Sequence, residues 1–169
     1  MRHGSLFIVI ALAALAVACG PCENTQLQAN KELVERFTAV INAADWDALD
    51  DLLTEDFKRH SAATAGPPVT SLEEFKALQQ VFYTAMPDQH IEIEMLVAEA
   101  DSVAALAIYS GTLTGPMGDF PITGKRSESP FLTIFRISDG RIAELWVEWD
   151  NLAMLSQLGL FPPPPPPEE

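Results

Sequence analysis

The segment Arg141-Ile142-Ala143-Glu144-Leu145-Trp146-Val147-Glu148-Trp149-Asp150, with Gln157-Leu158-Gly159 after it, decides how this chain is read. It alternates with a period of two, as a strand does, yet it carries Trp146 and Trp149 and has an acid at its exit. Large rings beside a carboxylate are what a half-buried ligand pocket needs. The rest of the chain then reads as the wall and lid around that acid.

Immediately upstream, Asp139-Gly140 reads as a two-residue turn joining this strand to another over Ser127 to Ser138. Such a turn sets Arg136 opposite Ala143, Ile134 opposite Leu145 and Thr133 opposite Trp146, unless a bulge intervenes. One face of the last strand would carry Ala143, Leu145, Val147 and Trp149. The other would carry Glu144, Trp146, Glu148 and Asp150, with Phe131 and Phe135 beside it. Alternation leaves open which face lines a cavity, because a strongly curved sheet buries both. Further back, a Gly/Pro-rich loop from Gly115 to Gly124 leads from a strand over Ser102 to Thr112. Before that, Ile91, Ile93, Met95 and Val97 alternate with Glu92, Glu94 and Leu96, which completes a four-stranded antiparallel meander.

The N-terminal half has helical spacing. Leu33, Val34, Phe37, Val40 and Ile41 form one stripe of a helix from about Asn30 to Asn42. Asp45 suits the N-cap of a second, shorter helix with Trp46, Leu49, Leu52 and Leu53 inside. Phe57-Lys58-Arg59-His60 reads as a brief strand before the loop at Gly66-Pro67-Pro68. Ser71-Leu72-Glu73-Glu74 is a capping box opening a third helix to about Ala85, which Pro87-Asp88 closes. Helices first and strands afterwards make the fold α+β.

Outside this domain, residues 1–18 read as an export signal: Arg2 and His3 precede an apolar run, Leu6 to Val17, too short to span a bilayer. Cys19-Gly20 after Ala16-Val17-Ala18 resembles a bacterial lipobox, which implies a lipid-anchored Cys19 and a membrane-tethered, extracytoplasmic protein. A cleaved soluble export and an uncleaved anchor are the alternatives. Cys19-Gly20-Pro21-Cys22 also matches the thioredoxin tetrapeptide, but no βαβ pattern surrounds it. Residues 23–29 read as a polar tether to a domain over 30–161. Pro162 to Pro167 with Glu168-Glu169 form a polyproline acidic tail over 162–169.

The composition excludes several classes of function. A formal charge of −14 repels nucleic acid and anionic surfaces. No glycine-rich phosphate loop is present. With 3 histidines, one of them in the signal, and 2 cysteines, both at its edge, the chain lacks the usual ligand set of a zinc centre.

The ordered set of Asn30 to Phe37, Asp45-Trp46-Asp47-Ala48-Leu49-Asp50, Asp56-Phe57 with His60, Met86-Pro87-Asp88, Phe135-Arg136-Ile137, Asp139-Gly140-Arg141-Ile142 and Trp149-Asp150 with Gln157-Leu158-Gly159 resembles the SnoaL-like polyketide cyclases, often labelled ester cyclases. The resemblance covers about residues 30–161. It implies the cone-shaped curved antiparallel sheet, covered by N-terminal helices, of the nuclear transport factor 2-like superfamily. It also implies an apolar cavity for a small hydrophobic or aromatic ligand, a homodimer, and cyclase or isomerase-type acid–base chemistry without metal or cofactor.

By position, the resemblance makes Asp150 the general acid/base and His60 its partner. A carboxylate enclosed by Trp146 and Trp149 would be desolvated and could shuttle a proton. Trp146, Trp149, Tyr109 and Phe82 are the candidate substrate contacts, with Tyr83 a further possible pocket hydroxyl. Each residue has a plainer reading: Asp150 as the N-cap of a helix over Leu152 to Leu158, His60 as a strand-end group, the rings as core. Many relatives read Glu-His-Trp-Asp where this chain has Glu144-Leu145-Trp146-Val147, so two aliphatic side chains replace a histidine and an aspartate on one face. If that face lines the cavity, the pocket is greasier than in those relatives and cyclase chemistry is in doubt. A non-catalytic ligand-binding or dimerising lipoprotein is the alternative function.

Overall fold

In the computed structural model, which describes residues 21–64 and 66–161, a five-stranded curved sheet carries helices on one face. The strands are β1 (Leu53–His60), β2 (His90–Glu99), β3 (Ser102–Thr112), β4 (Arg126–Ser138) and β5 (Arg141–Trp149), in the spatial order β1-β5-β4-β3-β2. β2 to β5 form the antiparallel meander. β1, longer than its apolar residues suggest, adds a fifth strand parallel to β5. The export signal, Cys19 and the polyproline tail lie outside the described residues. Among the described residues no helix is long and apolar enough to cross a membrane.

Helix α1 (Pro21–Ala43) buries Leu33, Val34, Phe37 and Ile41 against the sheet. Two asparagines fix its seat: Asn30 donates to Ala100 O at 3.2 Å, while Asn42 both donates to Ile91 O and accepts from Ile91 N–H, each at 2.8 Å. The described helix runs from Pro21 and not from near Asn30, so residues 23–29, read as a polar tether, are helical. Proline is tolerated at the first helical position. Gln26 to Asn30 (2.9 Å) and Gln28 to Glu32 (3.2 Å) are i,i+4 bonds that support this polar extension, where no apolar stripe marks it.

The second predicted helix is a single short 3-10 segment, Asp47–Asp51, with Leu49 buried beneath it; Asp45 Oδ1 still accepts from Ala48 N–H at 3.3 Å. Helix α2 (Leu72–Ala85) is capped as predicted, Ser71 Oγ accepting from Glu74 N–H at 3.2 Å. Glu74 reaches one residue past the cap, accepting from Thr70 N–H at 2.7 Å. A short helix α3 (Asn151–Gln157) follows β5 and packs beside β4, where Gln157 Oε1 accepts from Glu128 N–H at 2.7 Å.

Two bulges change the side-chain parity read from the sequence. In β4–β5 the tight turn holds, with Asp139 and Gly140 at φ 50° and 77°, but the register shifts at Ala143. Arg136 therefore pairs with Glu144, Phe135 with Leu145 and Ile134 with Trp146, one residue later than the turn alone dictates. Phe131 and Phe135 accordingly share the face of Leu145, Val147 and Trp149, not that of Trp146. In β2 the register shifts between Ile93 and Met95. Ile91 and Ile93 face inward, Leu96 and Ala98 take over that role, and Met95 and Val97 turn to solvent. An inserted residue reverses every side chain beyond it, which alternation cannot reveal.

Candidate functional site

The inner face of the sheet, α1 and α2 enclose a partly open apolar cavity of about 180 Å³. Val34, Phe37 and Ile41 of α1, Phe75 and Phe82 of α2, Phe131 and Phe135 of β4, and Leu145, Val147 and Trp149 of β5 are among the residues of its wall. The space exists because β3 presents Ala105 and Ala107 at the centre of the sheet, where its neighbours present rings and branched chains. Apolar cavities of roughly 150 Å³ are large enough to take a benzene ring.

A few polar groups interrupt the apolar wall. Ser127 and Thr133, both on the inward face of β4 and 1% and 5% exposed, have hydroxyls without a hydrogen-bond partner among the described residues. Tyr109 donates from its hydroxyl to Gln89 Oε1 at 2.9 Å. Burial pushes its phenol well above the usual range, with the charge of Asp88 adding to the effect, so the ring keeps its proton. Arg59 is the cation of the lining. It shares the inward face of β1 with Phe57, its guanidinium lies 5.6 Å from the Trp149 ring centroid, and Nη2 donates to Thr64 Oγ1 at 2.8 Å. Burial lowers its pKa, a shift that Glu148 opposes.

Of the residues singled out from sequence, Phe82, Tyr109 and Trp149 line the cavity. His60, Trp146 and Asp150 do not. His60 follows Arg59 by one position and so points to the outer face, where it stacks on Trp146 (4.7 Å between centroids, 12° between planes) and bonds Glu144 Oε2 through Nε2 at 2.9 Å. Arg136 covers the Trp146 ring at 5.1 Å and pairs with Glu144 at 3.0 Å, completing a cluster on that outer surface. The Asp150 side chain is exposed and caps α3, accepting from Ala153 N–H at 2.9 Å. Thus the structure brings together neither Asp150 with His60 nor either of them with the cavity. Tyr83 lies against Trp46, 37% exposed, and is no pocket hydroxyl.

The sequence reading missed Arg59, Ser127 and Thr133. Parity from the plainly apolar Phe57 would have placed Arg59 inward, whereas the two hydroxyls needed the sheet's correct register. The open question of the last strand is resolved: Leu145 and Val147 line the cavity, so the departures from the Glu-His-Trp-Asp pattern fall on its wall. Among the described residues no group of three or more histidine, cysteine or acidic side chains is arranged to hold a metal.

A curved sheet and its covering helices around an apolar chamber define the class: an α+β protein of the nuclear transport factor 2-like fold. The chain belongs to the SnoaL-like polyketide cyclase family, whose sequence profile matches residues 31–158. Wild-type IdmH from Streptomyces antibioticus, a candidate polyketide cyclase, is 30% identical, with a TM-score of 0.70 over 78% of this chain and 99% of that one. A candidate SnoaL-like polyketide cyclase from Jannaschia sp. CCS1 is 24% identical, with a TM-score of 0.72 over 82% of this chain and 94% of that one. AclR from Streptomyces galilaeus, a candidate hydroxylase, is also 24% identical, with a TM-score of 0.70 over 80% and 99%. No curated protein matches the chain. One fold here carries names of two different activities, so the reaction has to be argued from the site.

Proposed function

We propose that this protein is an exported, lipid-anchored binding protein for a small hydrophobic or aromatic molecule, which it holds in the cavity without acid–base catalysis by Asp150 and His60. One observation carries the reading. Leu145 and Val147 stand on the cavity wall where many relatives have ionisable side chains, and both residues suggested for proton transfer lie elsewhere. A general base must come within hydrogen-bond reach of the proton it removes, directly or through one water. Aliphatic wall groups reward apolar contact instead, at about 25 cal/mol per Å² removed from water.

The anchor rests on the leader and on Cys19, which would be acylated after cleavage and hold the domain at an extracytoplasmic membrane face. A homodimer through the outer face of the sheet is also part of this proposal. It is supported by Met95, Val97, Leu132 and Ile134, all large, apolar and exposed there.

Methyl 2-naphthoate, an uncharged aromatic probe, titrated against tryptophan fluorescence tests the cavity. Binding should be saturable, fall at least about tenfold in Ala107→Phe, whose ring fills the chamber, and be unchanged in Asp150→Asn and His60→Ala. Turnover of an aromatic ester that Asp150→Asn abolishes would refute the non-catalytic reading. Labelling with palmitate should mark the wild type, and a Cys19→Ser protein that remained labelled and membrane-bound would sink the anchor.

A further inference from the structure

We propose that the ligand of this cavity is an amphipathic anion: an aromatic or aliphatic body in the chamber and a carboxylate paired with Arg59. This rests on the cavity being the binding site and specifies the chemistry of what enters it.

Arg59 sits where an otherwise greasy wall has a cation. In a chain of net charge −14, a half-buried guanidinium would ordinarily be claimed by one of the many acids. Here it is not. Among the described residues Arg59 makes no ion pair within 4.0 Å, whereas Arg126 and Arg136 pair with Asp88 and Glu144. Glu148 is the acid whose charge Arg59 feels, but its two oxygens accept from Ala62 N–H and Ala63 N–H at 2.7 and 3.1 Å. Those bonds fix the carboxylate on the 61–64 loop rather than on the guanidinium.

A guanidinium has five N–H donors in a planar fork. The described residues give Arg59 one side-chain acceptor, Thr64 Oγ1, and one aromatic face, Trp149. The surroundings hold that geometry before any ligand arrives. Trp149 Nε1 donates to Asn151 Oδ1 at 2.7 Å, and Asn151 Nδ2 donates to Ala63 O at 2.6 Å. The Arg59 backbone is itself tied down, its N–H donating to Val69 O at 3.0 Å. The ring under the cation and the loop beside it are thereby braced against each other, so pairing costs little reorganisation. Partial burial makes the pairing worth more than at an open surface, because burial has already removed part of the cation's hydration. A carboxylate is the ligand group that matches the fork with two parallel bonds.

The test compares 2-naphthoate with its methyl ester, two probes that share an apolar body and differ in charge, titrated into the purified protein by tryptophan fluorescence. Wild type should bind the acid on the order of tenfold tighter than the ester, as expected for a hydrogen-bonded charge pair. Arg59→Met keeps an apolar stem against Trp149 and should erase that preference by weakening the acid far more than the ester; Arg59→Lys should keep part of it. Equal affinity of the two probes in wild type, a measurement that needs no variant, would overturn the proposal while leaving the cavity reading intact. A preference that survives in a folded Arg59→Met protein would overturn it too. If neither probe binds, the cavity reading fails and takes this one with it.

Discussion

Thr133 shows how much one hydroxyl can say. Its side chain is buried at the cavity wall, and Oγ1 has no partner among the described residues. A buried hydroxyl left unpaired costs about 1–3 kcal/mol, whereas an apolar group of the same shape costs nothing of the kind. Thr133→Val should therefore raise the midpoint of thermal unfolding of the ligand-free protein, by about 1 kcal/mol of stability, while weakening any ligand that offers this hydroxyl an acceptor. A less stable Thr133→Val variant would mean that the hydroxyl is satisfied in the folded protein. Arg59 follows the same logic with a charge. Neither residue stands out in the sequence, because a threonine in a strand and an arginine before a histidine are ordinary until the inward face is known. Asp150 is the opposite case. Its position after the last strand drew attention, yet that position is also where a helix cap belongs, and the cap is what the structure contains.

Elements were more legible than faces. The capping box at Ser71, the stripe of α1, the tight turn at Asp139-Gly140 and the change of period near Ile91 each rest on local chemistry, and each appears where it was read. What escaped was parity, since the shifts at Ala143 and near Glu94 leave no mark in composition while reversing side chains beyond them. The parallel pairing of β1 with β5 escaped too, because it joins residues far apart in sequence. Asp88, just after α2, ties two elements together. Thr112 donates its hydroxyl to Oδ2 at 2.6 Å and its N–H to Oδ1 at 2.7 Å, which holds the carboxyl below its ordinary range, with Arg126 a lesser contributor. A depressed folded-state pKa contributes stability that is present above the unfolded value of about 3.9 and lost as pH falls through the folded one. Asp88→Asn should thus unfold at a lower temperature than wild type near neutrality, and the gap should narrow below about pH 4. A gap that stays constant from neutrality to acid would show that the Asp88 charge does not stabilise the link to β3.

At the scale of the whole molecule, the outer surface of the sheet presents a conflict between shape and charge. Because of the bulge in β2, Val97, Ala104, Ile134 and Trp146 form one row across the strands, and Met95, Leu106 and Leu132 another. Leu132, at 63% exposed, and Val97, at 55%, are groups that a lone domain gains nothing by showing to water. Burying the rows against a second copy would recover apolar contact at the centre of a symmetric interface. Two copies of so acidic a chain repel one another, however, so apolar burial must outweigh a long-range penalty. Salt separates the two terms, since about 0.15 M shortens electrostatic reach to roughly 8 Å and leaves hydrophobic contact intact. Dimerisation measured by light scattering should therefore strengthen as salt rises from low ionic strength, the reverse of an interface built on ion pairs. Leu132→Lys with Ile134→Lys should yield a folded monomer at every salt concentration. A wild type that is monomeric throughout, or a double variant that still dimerises, would remove this face from the assembly and leave its apolar rows unexplained.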